Sequence, residues 1–525
     1  MKQNFSVLIF LMILFSCSGG SKTEASFPLQ PTPSGLSGEV LAKSHCGSCH
    51  AYVEPSALPK FSWEQDVLPS MGHRMGIFKG DRQPDSLFTP GLGGEIVRQA
   101  NIYPEQPMLA KEDWDKLVGF YLQEAPDSLP TYKRSQQIKL GLKHFKVREI
   151  GQAHRPALTT MVKILPDSRG LVFADGKRKR SMLTFLNSKL ELDYELAFSR
   201  APVDFYEKKD ALMLAIAGDG VFPSDLPIGS IQKVTKNGIE KSYNQSREII
   251  SNMQRPVQIS YGDLDGDGLE DLVASEFGDL TGNLAWYQNL GQDRYTKHVL
   301  RPKPGAIKTI LRDVNQDGQL DILSLMAQGD EGVFLYTNQG QGKFAEKQLL
   351  AFSPLQGSLH MELADFNQDG FEDLIYVSGD NADRTPFLKN FHGIYIFLND
   401  GNYQFTQAWF FPLHGAYKAI PRDYDGDGDL DIAVISHFPD YVHAPEESFV
   451  YLENIGNLTF EAYTFPQSFR GRWFVMDAGD LDGDGDIDLA LGSFVLFEPM
   501  GDQTGLGKRW MEQGPSVVVL ENTIR

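Results

Sequence analysis

Asp263-Leu-Asp-Gly-Asp-Gly-Leu-Glu-Asp271 runs straight into the apolar segment Leu272-Val-Ala. The arrangement returns at Asp313-Val-Asn-Gln-Asp-Gly-Gln-Leu-Asp321, Asp365-Phe-Asn-Gln-Asp-Gly-Phe-Glu-Asp373, Asp423-Tyr-Asp-Gly-Asp-Gly-Asp-Leu-Asp431 and Asp480-Leu-Asp-Gly-Asp-Gly-Asp-Ile-Asp488. Side-chain oxygens recur at positions 1, 3, 5 and 9. They belong to Asp263, Asp265, Asp267 and Asp271, then to Asp313, Asn315, Asp317 and Asp321, and to Asp365, Asn367, Asp369 and Asp373. Asp423, Asp425, Asp427 and Asp431 form the fourth set, and Asp480, Asp482, Asp484 and Asp488 the fifth. Alternate oxygens in a short loop, helped by the backbone carbonyl of position 7, suit a hard cation, and about five Ca²⁺ are expected. The glycine at position 6 permits the turn that makes the oxygens converge.

An EF-hand loop opens in the same way but closes with Glu at position 12. That place is held here by Ala274, Ser324, Tyr376, Val434 and Leu491, so the segment after each loop reads as a buried strand. The first Asp recurs after 50, 52, 58 and 57 residues, a spacing of propeller blades. A second marker follows each of the first four loops: an apolar strand ends in Asn289-Leu-Gly, Asn338-Gln-Gly, Asn399-Asp-Gly or Asn454-Ile-Gly, and an aromatic comes next at Tyr295, Phe344, Phe405 or Phe460. That pattern is strand, tight turn, strand. Together these features resemble FG-GAP or VCBS repeats, which implies four-stranded blades with calcium in the hairpin between the first two strands. The repeat length leaves room for two further blades without metal loops, near 155–195 and 201–250, so a seven-bladed ring is expected over 151–525. The alternating stretch Ile138 to Ile150, within a linker at 129–150, is expected to add an outer strand to the last blade at Ser516-Val-Val-Val-Leu520 and so close the ring.

The 525 residues carry 50 Gly and 29 Pro, and the net charge of −20 sits largely in the five loops, as a metal signature. No basic stripe with interleaved aromatics suggests a nucleic-acid partner. Lys2 and the apolar run Phe5 to Phe15 read as a signal peptide, too short to span a membrane. Leu14-Phe15-Ser16-Cys17 resembles a bacterial lipobox. The resemblance implies removal of residues 1–16, acylation of Cys17 and attachment to the envelope, with the outer membrane expected, by lipid alone; residues 17–34 then form a flexible tether.

Cys46-Gly-Ser-Cys49-His50 fits C-x-x-C-H, in which Cys46 and Cys49 attach one haem c covalently and His50 ligates the iron. A zinc site would need further ligands, and Cys17 is the only other cysteine. Trp114, Leu117, Val118, Tyr121 and Leu122 form the stripe of an amphipathic helix that stops before Pro126. The region 35–128 resembles a class I cytochrome c, which implies a small all-α domain ahead of the all-β propeller. Met71, Met108, Met75 and His73 are candidates for the sixth iron ligand. Similarity of Trp63…Val67-Leu-Pro-Ser-Met71-Gly to lipoproteins joining a cytochrome to FG-GAP repeats favours Met71, with Met108 the main alternative.

Residues five before each loop, Gln258, Lys308, His360, Lys418 and Val475, are expected at matching places near the ring axis, with His154, Arg255 and Arg472 adding to a polar mouth. An anionic or carbohydrate ligand is expected there, against a water-filled channel as the plain alternative. Insertions near 379–392, 437–447 and 494–513 are further contact surfaces. His360, His392, His414 and His437 read as surface or packing residues, and no nucleophile constellation occurs. The sequence therefore points to an electron-transfer protein with a redox partner, its propeller docking a partner or ligand. A redox enzyme oxidising a sugar-like substrate at the mouth, and an adhesion or glycan-binding module with an accessory haem, are the alternatives.

Overall fold

The computed structural model describes residues 31–78, 84–130, 134, 136–177, 179–218, 220–237, 242–380, 388–498 and 502–524. The signal peptide, Cys17 and most of the expected tether lie outside these residues.

Seven antiparallel sheets follow one another and form a seven-bladed β-propeller. Blade 1 spans 159–198, blade 2 202–253, blade 3 256–301, blade 4 306–351, blade 5 358–412, blade 6 416–464 and blade 7 473–522. Blades 1 and 2 thus occupy the places left for them by the repeat length. The second strand of each blade is apolar on both faces because each face meets a different neighbour. In blade 2, Leu212, Leu214 and Ile216 pack with Val172 and Leu183 of blade 1. Met213 and Ala215, the alternate residues, pack with Leu272 and Ala274 of blade 3. Seven such clusters fill the seven gaps between blades.

The ring closes through the expected strand: Phe145–Glu149 pairs antiparallel with Val517–Asn522, Val147 opposite Leu520. An unexpected strand, Lys139–Leu140, pairs in parallel with Tyr463 and Thr464 at the edge of blade 6. The linker therefore wraps two outer edges. Arg134 anchors it on the buried carboxylate of Glu447.

Residues 31–130 hold helices and no strand among the described residues. Helix Gly38–Cys46, capped by the Ser37 side chain, crosses helix Lys111–Glu124. Gly38 sits at the crossing, where a Cβ would lie 2.2 Å from the Lys116 carbonyl, so only glycine allows the approach. Trp63 packs on Tyr121 with ring centroids 4.4 Å apart and planes tilted by 44°, and both lie in a core with Leu41, Leu58, Leu68 and Leu117. Their polar ends are satisfied by the Pro55 and Val53 carbonyls, each at 2.8 Å.

The metal-type loops all join first and second strands, so they share one face of the ring. The loops between second and third strands, including all three insertions, share the other. The helical region touches this second face: Leu355 packs against its core and Leu226 lies against Gly93.

Candidate haem and calcium centres

Cys46 ends the first helix half-buried against the helical core, and Cys49 is exposed; both are free thiols. His50 follows with Nδ1 2.8 Å from the Ala51 carbonyl. An Nδ1–H donated to that carbonyl leaves Nε2 as the ring's available ligand atom. Two thiols, one oriented imidazole and an apolar wall make a donor set that fits a covalently held haem. Met71 lies half-buried in helix Leu68–Arg74, and Met75 is its C-cap. His73 is buried and stacks on Phe78. Met108 is 61% exposed, yet its amide donates to the Met75 carbonyl at 2.9 Å, so the two candidate segments are joined.

On the ring, each loop is organised by its first aspartate. Asp263 accepts the amides of Gly266 and Gly268 at 2.8 and 2.9 Å, and Asp423 those of Gly426 and Gly428 at 2.8 and 3.1 Å. Position 6 has φ between +83° and +97° in all five loops, which explains its glycine. Oxygens of Asp263, Asp265 and Asp271 come within 4.8 Å of one another, as do those of Asp423, Asp425 and Asp427 and those of Asp480, Asp482 and Asp488. In the other two loops the amides of Asn315 and Asn367 donate to Asp317 and Asp369. Each loop thus presents the oxygen-rich donors that a calcium ion takes.

The ninth position is the hinge between loop and blade. Asp271, Asp321, Asp373, Asp431 and Asp488 are fully buried. One oxygen of each accepts the amide of position 2, and the other accepts the amide of Asn289, Asn338, Asn399, Asn454 or Asn522. The Asn marker and the acidic loop are therefore one unit. Asn522 completes the set, although no Gly follows it; the parallel between Leu520-Glu-Asn522 and Leu452-Glu-Asn454 was its signal. Burial pushes the Asp431 and Asp488 carboxyls up to about 7 and about 6. Asp429 and Asp486, both at position 7, have buried oxygens with no hydrogen-bond partner among the described residues. Orphaned carboxylate oxygens inside an acidic loop are what a bound cation would satisfy.

At the axis, Gln258, Lys308, His360, Lys418 and Val475 do fall in matching register, each just past a register shift in the innermost strand. The bore also holds groups that the loop-anchored count missed, Lys163, Asp204, Glu362 and Asp477. Blades 1 and 2 have no loop from which to count, and Glu362 and Asp477 stand two residues further along their strands. Asp204, Gln258 and Asp477 each accept the amide of the neighbouring inner strand, at Ile259, Thr309 and Ile164. Three lysines are thus opposed by three carboxylates. Burial, with Lys163 nearby, lowers the Lys418 amine to about 8. His154 is not at the axis, because it packs on Phe173 and faces Asp175 and Glu195 on the flank of blade 1. Arg255 and Arg472 are at the second face, but backbone carbonyls take them up, those of Val221 and Gly278 for Arg255 and that of His437 for Arg472. His360, His392 and His437 are buried, and burial lowers all three, His360 to about 4.

The FG-GAP-like repeat family matches residues 263–324, 313–376 and 423–491. Blades 3 to 7 carry FG-GAP-like repeats. No curated protein matches the chain. Among solved structures, the chain is similar to a chain of an S. cerevisiae assembly of Dbp5, Nup159 and Gle1 with IP6 and ADP. Identity there is 10%, with 74% of this chain and 98% of that one covered and a TM-score of 0.39. A putative 6-phosphogluconolactonase from Bacteroides fragilis is 13% identical over 59% of this chain and 85% of its own, with a TM-score of 0.40. The Photorhabdus luminescens Tc holotoxin pore is 18% identical over 55% of this chain and 14% of its own, with a TM-score of 0.28.

Proposed function

We propose that the chain is a lipid-anchored envelope protein that carries one c-type haem and transfers electrons, its calcium-bearing ring docking a partner or ligand. The observation that carries this reading is the Cys46, Cys49 and His50 group, set at the end of a packed helix with the imidazole already oriented by Ala51. A haem held there supplies a one-electron Fe(III)/Fe(II) couple. Cys46 and Cys49 would hold it through thioethers, His50 would ligate the iron, and the core of Leu41, Trp63, Leu68 and Tyr121 would wall off water. Met71 is the proposed sixth ligand, Met108 its alternative. The five aspartate loops are proposed to hold Ca²⁺, which would neutralise the orphaned carboxylates of the ring's acidic face.

The electron-transfer reading is tested by mixing the reduced, haem-loaded protein with a one-electron acceptor protein, and separately by adding simple sugars and alcohols to the oxidised form. Oxidation by the acceptor and no reduction by the small molecules are expected. Reduction of the haem by a sugar would instead make the chain an enzyme. Met71→Ala should change the reduced spectrum where Met108→Ala does not. Cys17→Ala should release the protein from the membrane fraction.

A further inference from the structure

The seven innermost strands carry charge around the ring axis in an almost regular alternation. Lys163 of blade 1 is followed by Asp204 of blade 2, the neutral Gln258 of blade 3, Lys308 of blade 4, Glu362 of blade 5, Lys418 of blade 6 and Asp477 of blade 7. Every strand that lines this bore is described along its whole length. The other charges on these strands, Glu207, Lys208 and Arg312, are paired away from the axis: Glu207 with Arg169 and Lys236, Lys208 with Glu270, and Arg312 with Glu372. The bore is open to water. The Lys163 side chain is 35% exposed, and Lys308, Lys418 and Asp477 are half-buried.

The alternation breaks at Lys308. On one side stands Gln258, whose amide oxygen accepts the Thr309 amide and hydroxyl at 2.9 and 2.8 Å and whose amide nitrogen donates to the Ile259 carbonyl at 2.8 Å and the Ser260 hydroxyl at 3.0 Å. On the other side stands Glu362, whose two oxygens are taken by His360 Nε2 at 3.3 Å and Arg422 Nη1 at 3.2 Å. Lys308 itself makes no hydrogen bond or ion pair among the described residues. The other two lysines are placed. Lys418 Nζ donates to the Met476 carbonyl at 2.8 Å, while Lys163 Nζ lies 4.0 Å from Asp204 and the Asp477 carboxylate holds its amine above the ordinary value. Arg422 makes a fourth cation against the three carboxylates, and burial, which lowers His360 to about 4, keeps that ring neutral. One positive charge is left over, and it is on Lys308. Burial, with Lys163 nearby, lowers its amine, as befits an ammonium without a counter-ion.

We propose that the bore holds a small carboxylate-type monoanion against the Lys308 ammonium. The excess of a single charge selects a monoanion over a phosphate-type dianion, whose second charge would face Asp204, Glu362 and Asp477 without compensation. Charge-assisted hydrogen bonds are the strong ones, and salt screens a half-buried pair less than an exposed one. The proposal gives a chemical class to the ligand that the ring is proposed to dock. It needs only the ring, so its failure would leave the haem reading untouched.

The test is calorimetric titration of the full-length, haem-loaded and calcium-loaded protein with acetate, with acetamide as the neutral isostere and inorganic phosphate as the dianion. Saturable binding of acetate, weaker binding of phosphate and none of acetamide are expected. Lys308→Gln should lose about tenfold or more in affinity for acetate. Without any anion the same variant should melt no lower than wild type, because it removes a charge that no carboxylate opposes. Lys303→Gln, which removes an exposed charge just ahead of the same strand, should bind acetate as wild type does. No saturable binding of acetate up to about 10 mM would overturn the proposal. So would equal affinity in Lys308→Gln, equal binding of acetamide, or tighter binding of phosphate. A lower melting temperature of Lys308→Gln without anion would also overturn it, by showing that the ring's own carboxylates already compensate this lysine.

Discussion

Blades 1 and 2 share their architecture with blades 3 to 7, yet their first hairpins are built differently. In blade 2, Lys208 pairs with Ala211 across the two residues Lys209 and Asp210. Blade 1 turns through Pro166 to Arg169, with Asp167 and Ser168 both at positive φ. In blade 3 the corresponding pair, Gly262 and Asp271, encloses the whole acidic loop, and blades 4 to 7 repeat this. The inter-blade clusters are of the same kind on both sides of the ring. Apolar alternation therefore makes a blade, and the acidic loop is an addition that ties the blade's rim to the Asn at the end of the third strand and offers the oxygens proposed to hold a cation.

The largest effect expected from this difference is that of chelation. Each site at calcium a hundred times its dissociation constant adds about 2.7 kcal/mol, so removing the metal from five sites should lower the melting temperature sharply. Hydrogen exchange should rise in the loops beginning at Asp263, Asp313, Asp365, Asp423 and Asp480. The turns at 166–169 and 209–210 should not change. Uniform loosening of all seven blades would break the comparison.

A smaller effect separates the Asn hinges. Asn338 donates to Leu264 of blade 3 at 2.8 Å and to Leu320 at 3.1 Å, and accepts from Gly340 at 2.9 Å, largely out of water. Asn338→Ala should cost about 2 kcal/mol in denaturant unfolding, because buried carbonyls lose their donor. Asn187, which follows the third strand of blade 1, bonds among the described residues only within its own exposed turn. Asn187→Ala should cost about 0.5 kcal/mol. Equal costs would mean that the hinge owes nothing to the acidic loop.

The face opposite the loops is expected to answer to protons. Glu331, buried at the foot of blade 4's third strand, accepts the amide and hydroxyl of Ser358 in blade 5, at 3.0 and 2.6 Å. Burial raises its carboxyl from 4.5 to about 8. The folded chain then holds a proton that the unfolded chain releases, so this group's contribution falls as pH rises from about 4.5 to about 8. Glu331→Gln should flatten that decline, with the gain in melting temperature seen at pH 8.5 and little change at pH 5. An unchanged pH profile would show that Glu331 is ionised in the fold.

The acidic loops were legible because they combine four oxygen-bearing side chains and a glycine at fixed offsets, and the ring-closing strand because Ile138 to Ile150 alternates. Blades 1 and 2 could be placed only by repeat length and by apolar runs such as Leu212 to Ala217. Their bore residues, Lys163 and Asp204, stayed hidden because no loop fixes their register. His154 was misplaced for a similar reason: a loop residue has no strand register to count from. Asn522 escaped because Ile524 stands where the other four markers have their glycine. Linear spacing shows the Cys46 to His50 group, but the orientation of His50 by Ala51 is a matter of local geometry that no spacing states.

The most direct test of the account is the mass of the peptide containing Cys46 and Cys49 after expression with a working haem-attachment system. The account expects that peptide to carry one haem, retained through denaturation and lost in Cys46→Ser, Cys49→Ser. An unmodified peptide with two free thiols, from a protein whose ring is folded, would contradict it.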